Sequence, residues 1–399
     1  MSRLSLIVTS FDVGPWIEQA LHSAARVLRP GDELIVVDDA SRDGGPARIR
    51  GFGHSGLLAP GVAFDPVLLG CNTPGGVGPA ANIGLAAASG DIVAFLDGDD
   101  WLEPDGFNAA RARFETLLSG PEAADVLIAN YTEWQEGLNA ARLPADAGLW
   151  HDAETLTGEA ARERALEMIA VPWRKLYRRG FLEENALRFP EGNFFFEDNP
   201  FHWAVCRAAR GIAFHDRVIC RHRVARPGQT MASSGTELLA FFTHFRTIMA
   251  GIGWHERRAR VLASRWLAQN MCWHMERLRL DAIGPWVSAA RDALADVPAR
   301  SWRREVLPHF DDWASEILQA IRDGRTDRAE RRIMAIALTR QETHMEQRLQ
   351  TLQAEIDQLR EELERNRTAD PEAVAQDAAR EAGLLQQFEA LRRAALSSE

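Results

Sequence analysis

The run Ile92-Val93-Ala94-Phe95-Leu96-Asp97-Gly98-Asp99-Asp100-Trp101 decides the fold. Its five apolar residues are too few for a helix, and they end in three carboxylates within four positions. A buried run of that length reads as a central strand of a parallel sheet. In open α/β sheets ligands bind beyond the carboxyl ends of the strands, so these acids lie where a ligand would sit. Like charges crowded at a strand end call for a cation. Carboxylate oxygens are hard ligands that suit Mg²⁺ or Mn²⁺. An isolated D-x-D is more often a solvated acidic turn, so its neighbours in the fold must decide.

Upstream, Leu4 to Thr9 reads as a first buried strand, followed by the turn Ser10-Phe11-Asp12-Val13-Gly14-Pro15. Pro15 suits the first position of a helix, and Trp16 to Leu28 has helical spacing. Glu33 to Val37 is a second strand that again ends in acids, Asp38-Asp39. Val62 to Leu69 forms a third, and Gly70 to Gly84 is a glycine-rich loop running into a helix through about Ala88. Strands and helices alternating at this spacing predict a parallel α/β sheet. Three strands then end in polar loops on one edge, at Thr9-Ser10-Phe11-Asp12, Asp38-Asp39 and Asp97-Gly98-Asp99. Three ordinary turns in one place are much less expected than one.

Composition narrows the class. A chain of 399 residues has room for two or three domains, and 46% hydrophobic with 26% charged residues is ordinary for a globular protein. The formal net charge of -11 excludes nucleic acid as a main partner. Cys71, Cys206, Cys220 and Cys272 have no metal or redox spacing and fit unpaired thiols in a reducing compartment. The apolar run at the N-terminus is too short for a signal peptide, and no stretch reaches membrane-span length. A cytoplasmic location is expected, with peripheral contact at the inner face of the membrane left open.

Downstream, Phe107 to Leu118 reads as a helix, Val126 to Tyr131 as a strand, 135 to 155 as irregular and Ala160 to Ala170 as a helix. Phe194-Phe195-Phe196-Glu197-Asp198-Asn199-Pro200 places two acids after three phenylalanines. Partial desolvation raises a carboxylate's pKa and makes a general base. The alternative is that Glu197 or Asp198 caps the helix starting near Pro200. Ile212 to Phe214 and Val218 to Cys220 are short strands, and Arg221-His222-Arg223 with Arg226-Pro227-Gly228-Gln229-Thr230 forms a basic loop suited to phosphate oxygens. From about Glu237 helical spacing takes over, and His255 to Leu280 reads as an amphipathic helix packed on the first domain or lying on an anionic membrane surface. Met345, Leu349, Leu352, Ile356, Leu359 and Leu363 form a short heptad seam before Asp370-Pro371, for oligomerisation or for a helical hairpin. The expected divisions are 1–235, an α/β domain; 236–335, α-helical; and 336–399, a coiled-coil tail.

Taken together, about the first 235 residues resemble the family-2 glycosyltransferases of the GT-A fold. The resemblance rests on Ile7-Val8-Thr9-Ser10-Phe11-Asp12, on Val36-Val37-Asp38-Asp39-Ala40-Ser41-Arg42-Asp43-Gly44, on the glycine-rich stretch from Asn72 to Leu85, on Ala87 to Trp101, on Trp173-Arg174-Lys175-Leu176-Tyr177, on Glu197-Asp198 and on the Arg226 loop, in that order. The chain departs from the pattern with Asp12 where Asn is usual and Ala81 where Arg commonly precedes Asn82. The resemblance implies a metal-dependent, inverting transfer of a sugar from a nucleotide-sugar donor, commonly a UDP-sugar, to a polysaccharide, glycolipid or glycoprotein acceptor. By it Asp39 would bond the nucleobase, Thr9 and Phe11 would shape its pocket, and Asp97 would face the ribose and sugar. Ser10, Asn72, Gly78, Asn82, Gly98 and Arg226 would also surround the nucleotide sugar. Asp99 would hold Mn²⁺ or Mg²⁺ on the diphosphate, with His222 as a further contact, and Asp198, with Glu197 beside it, would be the catalytic base.

Two other classes compete. Gly76-x-Gly78-x-x-Ala81 matches a dinucleotide fingerprint with an acid about twenty residues on, at Asp97, but Pro79 interrupts the tight turn and the first strand has no such motif. A non-catalytic, transferase-like scaffold that oligomerises through residues 345–363 is the other.

Overall fold

A computed structural model describes residues 2–72, 76–120, 122–192, 195–226, 229, 233–365 and 371–396. Thr73, Pro74 and Gly75 of the glycine-rich loop lie outside them, as do Phe194, Asp370 and, in the basic loop, Pro227, Gly228 and Thr230. The chain divides into two compact units, residues 1–270 with 292–310, and residues 271–291 with 311–399.

The first unit is built on a nine-stranded mixed sheet in the order β3-β2-β1-β4-β8-β6-β9-β5, with β7 paired to β6. The strands are β1 Leu4–Ser10, β2 Glu33–Asp38, β3 Ala63–Leu68, β4 Ile92–Asp97, β5 Trp101–Leu102, β6 Val126–Gln135, β7 Ala140–Arg142, β8 Lys175–Arg178 and β9 Ile212–Val224. Strands β3, β2, β1 and β4 are parallel neighbours. Strand β8 runs antiparallel to both β4 and β6. Every residue of β1 is buried, as continuous apolar patterning requires of a strand covered on both faces.

The helices that matter for the site are α1 Gly14–Ala25, α2 Gly45–Gly53, α3 Gly78–Ala87, α4 Pro104–Leu117, α5 Gly158–Glu167, α6 Arg179–Glu184 and α7 Asp198–Ala208. Helices α1 to α4 each carry proline in their first turn, where the missing N–H is no loss. Helix α3 therefore starts inside the stretch expected to be loop. It lies close on the sheet: a Cβ on Gly84 would fall 2.3 Å from Ile7 Cγ2. Arg111 of α4 forms a buried ion pair with Asp32 at 2.6 Å, and Arg174 does so with Asp146 at 2.5 Å.

Strands β5 and β7 have no counterpart in the sequence reading, and three further strands differ from it. Strand β9 is one strand of 13 residues, because the polar His215-Asp216-Arg217 sits at an irregularity opposite Ala129–Asn130 without breaking the pairing. Strand β8 carries charged residues at both ends and so lacks an apolar run. Strand β6 continues to Gln135 and pairs with β7 inside the stretch read as irregular.

The second unit is helical. Trp286 donates its indole N–H to His274 Nδ1 at 3.0 Å. The helix Thr326–Arg365 packs against the helices Asp312–Arg322 and Pro371–Leu396. Leu352, Ile356 and Leu359 of the heptad seam are buried within the single chain, and Arg360 pairs with Glu381 at 2.7 Å. No helix among the described residues is long and apolar enough to cross a membrane.

Candidate active site

Register puts the predicted strand tips side by side: Ser10 is level with Asp38, and Thr9 with Asp97. The Thr9 hydroxyl donates to Asp97 Oδ1 at 3.1 Å, and the Ser10 hydroxyl to Asp38 Oδ2 at 2.8 Å. Asp39 donates its amide to the Ser10 carbonyl at 2.8 Å, and Asn72 Nδ2 donates to the Asp39 carboxylate at 2.7 Å. Phe11 is half exposed beside them. Asp12 follows with φ 48°, a left-handed conformation that Asn and Asp tolerate better than other side chains, so Asp can stand where the family motif has Asn. Asp43, part of the quoted motif but given no role there, accepts the amide of Gly14 at 2.5 Å and that of Gly45 at 3.0 Å, tying together the starts of α1 and α2.

The acid turn is tight. Asp100 donates its amide to the Asp97 carbonyl at 3.0 Å, and a Cβ on Gly98 would fall 2.8 Å from the Thr9 carbonyl oxygen. Burial, then the like charges of Asp100 and Asp99, push the Asp97 carboxyl up to about 8. Asp100 is also raised, by burial first, although His222 Nδ1 lies 3.0 Å from Oδ2 and the Arg223 amide donates to Oδ1 at 2.7 Å. Burial would lower His222, but Asp100, and to a lesser extent Asp99 and Asp97, hold its imidazole at about 9. Its ring stacks on Trp173 at 5.1 Å. His222 is thus the partner of Asp100 rather than of Asp99.

Asp99 meets arginines instead. Arg226 Nε donates to Asp99 Oδ2, and its guanidinium lies 5.0 Å from the Trp16 ring centroid. Arg223 Nε donates to the Asp99 carbonyl at 2.9 Å, and its guanidinium also reaches Gln19, Glu136 and the face of Trp101. Arg223 and Arg226 therefore clamp the acid turn, and Arg221-His222-Arg223, read as part of a basic loop, is the end of β9. Asp100, Arg223 and Trp173 were not singled out as site residues. The third carboxylate of the turn and the position of Arg223 in the basic run 221–226 were the available signals.

Asp198 opens α7 and is half-buried. Burial pushes its carboxyl up to about 6, against the opposing charge of Lys175 and the amides of Asn199 and Asp198. Lys175, from β8, is buried; its ammonium donates to the carbonyls of Ala170 at 3.1 Å and Val171 at 2.5 Å, and burial pulls it down to about 7. Glu197 faces elsewhere. It makes no cap on α7; its Oε1 accepts the Gly78 amide at 2.7 Å, at the start of α3. Asn82 is likewise committed: its amide donates to the Phe189 carbonyl and to Glu191, each at 2.9 Å, and accepts the Phe189 N–H at 2.9 Å. Gly78 and Asn82 thus contact the 189–197 segment directly.

Among the described residues no three His, Cys, Asp or Glu side chains are grouped to hold a metal by themselves. Mg²⁺ and Mn²⁺ at phosphate sites need only one or two carboxylates, the rest coming from phosphate and water. Asp99, in the turn between Asp97 and Asp100, fits that donor set.

Residues 5–184 match the glycosyl transferase family 2 model. The chain is 26% identical to an uncharacterized glycosyltransferase, EpsJ, of Bacillus subtilis over 55% of its own length and 60% of that relative. It is 23% identical to the poly(ribitol-phosphate) beta-N-acetylglucosaminyltransferase TarS of Staphylococcus aureus, over 75% of this chain and 50% of TarS. The chain thus spans 60% of the length of the two Bacillus relatives EpsJ and EpsH. The structure of TarS residues 1–349 with UDP-GlcNAc superposes with a TM-score of 0.64 at 21% identity, covering 84% of this chain and 91% of the other. A Pyrobaculum calidifontis mannosyltransferase in complex with GDP-Man and Mn²⁺ gives 0.50 at 18% identity, covering 84% and 86%. The shared architecture is the GT-A fold.

Proposed function

We propose, from the match of residues 5–184 to the glycosyl transferase family 2 model, that this chain moves a sugar from a nucleoside diphosphate donor to a hydroxyl of a carbohydrate or lipid-linked acceptor. Two observations carry the reading together. A crowded acid turn follows β4, and a separate half-buried acid, Asp198, has been pushed up to about 6.

Donor and acceptor make different demands. The donor leaves as a diphosphate that gains negative charge, so its site needs fixed positive charge and hydrogen-bond donors. Arg226 supplies the charge next to Asp99. Asp39, held by Asn72, accepts hydrogen bonds from the nucleobase, with Thr9, Ser10 and Phe11 around it. A divalent ion held by Asp99 would neutralise the leaving diphosphate. The acceptor hydroxyl is a poor nucleophile until its proton is removed. A base with a pKa near the working pH does this best, and Asp198 meets that condition. As Asp198 takes the proton, the acceptor oxygen bonds to the anomeric carbon and the bond from that carbon to the phosphate oxygen breaks. A single displacement inverts the anomeric centre. We assign this chemistry to residues 1–235, with 236–335 and 336–399 as helical additions. The mechanism does not require self-association through 345–363, whose Leu352, Ile356 and Leu359 are already buried within one chain.

The test is a panel of nucleotide sugars, including UDP-GlcNAc and GDP-mannose, with Mn²⁺ and with chelator, reading released diphosphate. Asp198→Asn is expected to lose turnover and keep donor binding. A variant with near-normal turnover would remove Asp198 from the base role.

A further inference from the structure

We propose that Glu197 is a positioning residue: it latches the start of α7 into the Gly76–Gly78 turn that opens α3, and so fixes Asp198 relative to the acid turn. The inference rests on the assignment of Asp198 as the base.

One side of the latch is rigid. Helix α3 lies on β1 so closely that Gly84 leaves no room for a methyl group against Ile7. Ile7 is in the same strand as Thr9, whose hydroxyl holds Asp97. Unbroken contact therefore runs from the acid turn through β1 and α3 to the amide of Gly78. That amide meets Glu197 Oε1 at 2.7 Å, across 119 residues of sequence.

The other side is held under strain. Phe196, directly before Glu197, has φ 63°, a conformation that a bulky side chain rarely adopts. Such residues persist where the surroundings over-determine them. Here Asn199 Nδ2 donates to the Phe196 carbonyl at 3.0 Å, and the Phe196 ring packs on Phe241 at 4.6 Å. The strained turn aims Glu197 one way and leaves Asp198, the next residue, to open the helix.

The glycines are shaped to this carboxylate. A Cβ on Gly76 would fall 2.6 Å from Glu197 Oε1, and one on Gly78 would fall 2.9 Å from its Cγ. Asn82 adds a second tie from α3 to Phe189 and Glu191. Phe189 in turn stacks on Phe201 of α7 at 3.9 Å and meets Phe95 of β4 edge-on at 5.5 Å. The body of α7 is thus anchored through Phe201, whereas its first residue depends on Glu197.

The experiment compares Glu197→Gln, Glu197→Ala, Gly76→Ala and Asp198→Asn with the wild type in the full chain, well below each melting temperature. Turnover is read with UDP-GlcNAc and GDP-mannose plus Mn²⁺, and donor-site binding with UDP plus Mn²⁺. A misplaced base costs on the order of 10²-fold in rate, so Glu197→Ala is expected to lose about that factor in kcat with donor KM nearly unchanged. Gly76→Ala, which displaces the carboxylate without altering its chemistry and also strains a backbone at φ 64°, should follow it. Glu197→Gln should stay within about tenfold of wild type, because a carboxamide oxygen still accepts the Gly78 amide. If Gln is as inactive as Ala, the charge or proton of Glu197 matters and the latch is wrong. If Ala and Gly76→Ala melt earlier but keep wild-type kcat, the contact is a structural cap and the latch is wrong again. If the Ala variant does not fold, the contrast between Glu197→Gln and Gly76→Ala decides between the same outcomes. Asp198→Asn separates the two readings: wild-type turnover there overturns the base assignment itself, whatever the Glu197 variants do.

Discussion

Replacing Lys175 by methionine should move the acid limb of the pH–rate profile upward. Asp198 has a carboxyl at about 6 in place of 3.8, raised by burial and held from rising further by Lys175. A base works only when ionised. Because its pKa is raised, activity is lost as pH falls through about 6 rather than through the usual carboxylate range. From that value Asp198 is about nine-tenths ionised at pH 7 and about one-tenth at pH 5, so kcat/KM should fall roughly tenfold between them. A nearby opposite charge is worth about one pKa unit or more. Lys175→Met, similar in length but neutral, should therefore shift the limb up by about that much, with a loss that approaches tenfold below pH 6 and largely recovers by pH 8. The recovery separates lost charge from damaged structure, which no pH would repair. Because Lys175 itself is pulled down to about 7, its support for Asp198 in the wild type also fades above that pH, and the two profiles should converge there. The assay is kcat/KM for the acceptor at saturating donor and Mn²⁺, so that the donor-side acids are already engaged. A wild-type limb at or below pH 4.5, or an unmoved limb in a folded Lys175→Met, would refute the reasoning.

Other consequences are simpler. Gly84→Ala should destabilise the fold by about 1–3 kcal/mol in urea unfolding, because the new methyl overpacks α3 against Ile7. Asp146→Ala leaves Arg174 buried without its acid, and should cost about 3–5 kcal/mol in the same experiment. Arg226→Ala removes a charge-assisted partner from the donor side, and should weaken UDP binding about tenfold or more by calorimetry.

What the sequence made legible follows from how local each signal is. Strands β1, β2 and β4 are largely apolar runs that end in polar residues, Thr9-Ser10 in β1 and an aspartate in β2 and β4, so both their burial and their shared edge can be read residue by residue. Strand β5 is a two-residue pairing, and β8 has Lys175 and Arg178 at its ends, so neither has a pattern to read. Site residues behave the same way. The acids of the turn and Asp198 announce themselves by type and company. The tasks of Glu197 and Asn82 depend on contacts across 119 and 107 residues, and no local pattern reports those. His222 is similar: its pairing with Asp100 rather than Asp99 is set by the β5–β9 register, in which Trp101 faces Arg221.

The most direct test of the account is release of nucleoside diphosphate from a nucleotide sugar by the wild type, Asp99→Ala and Asp198→Asn side by side, with UDP binding measured on each. The account predicts release by the wild type alone, weakened binding in Asp99→Ala and retained binding in Asp198→Asn. Equal release by all three, or none by the wild type across the donor panel with Mn²⁺ and acceptor extract present, would contradict it.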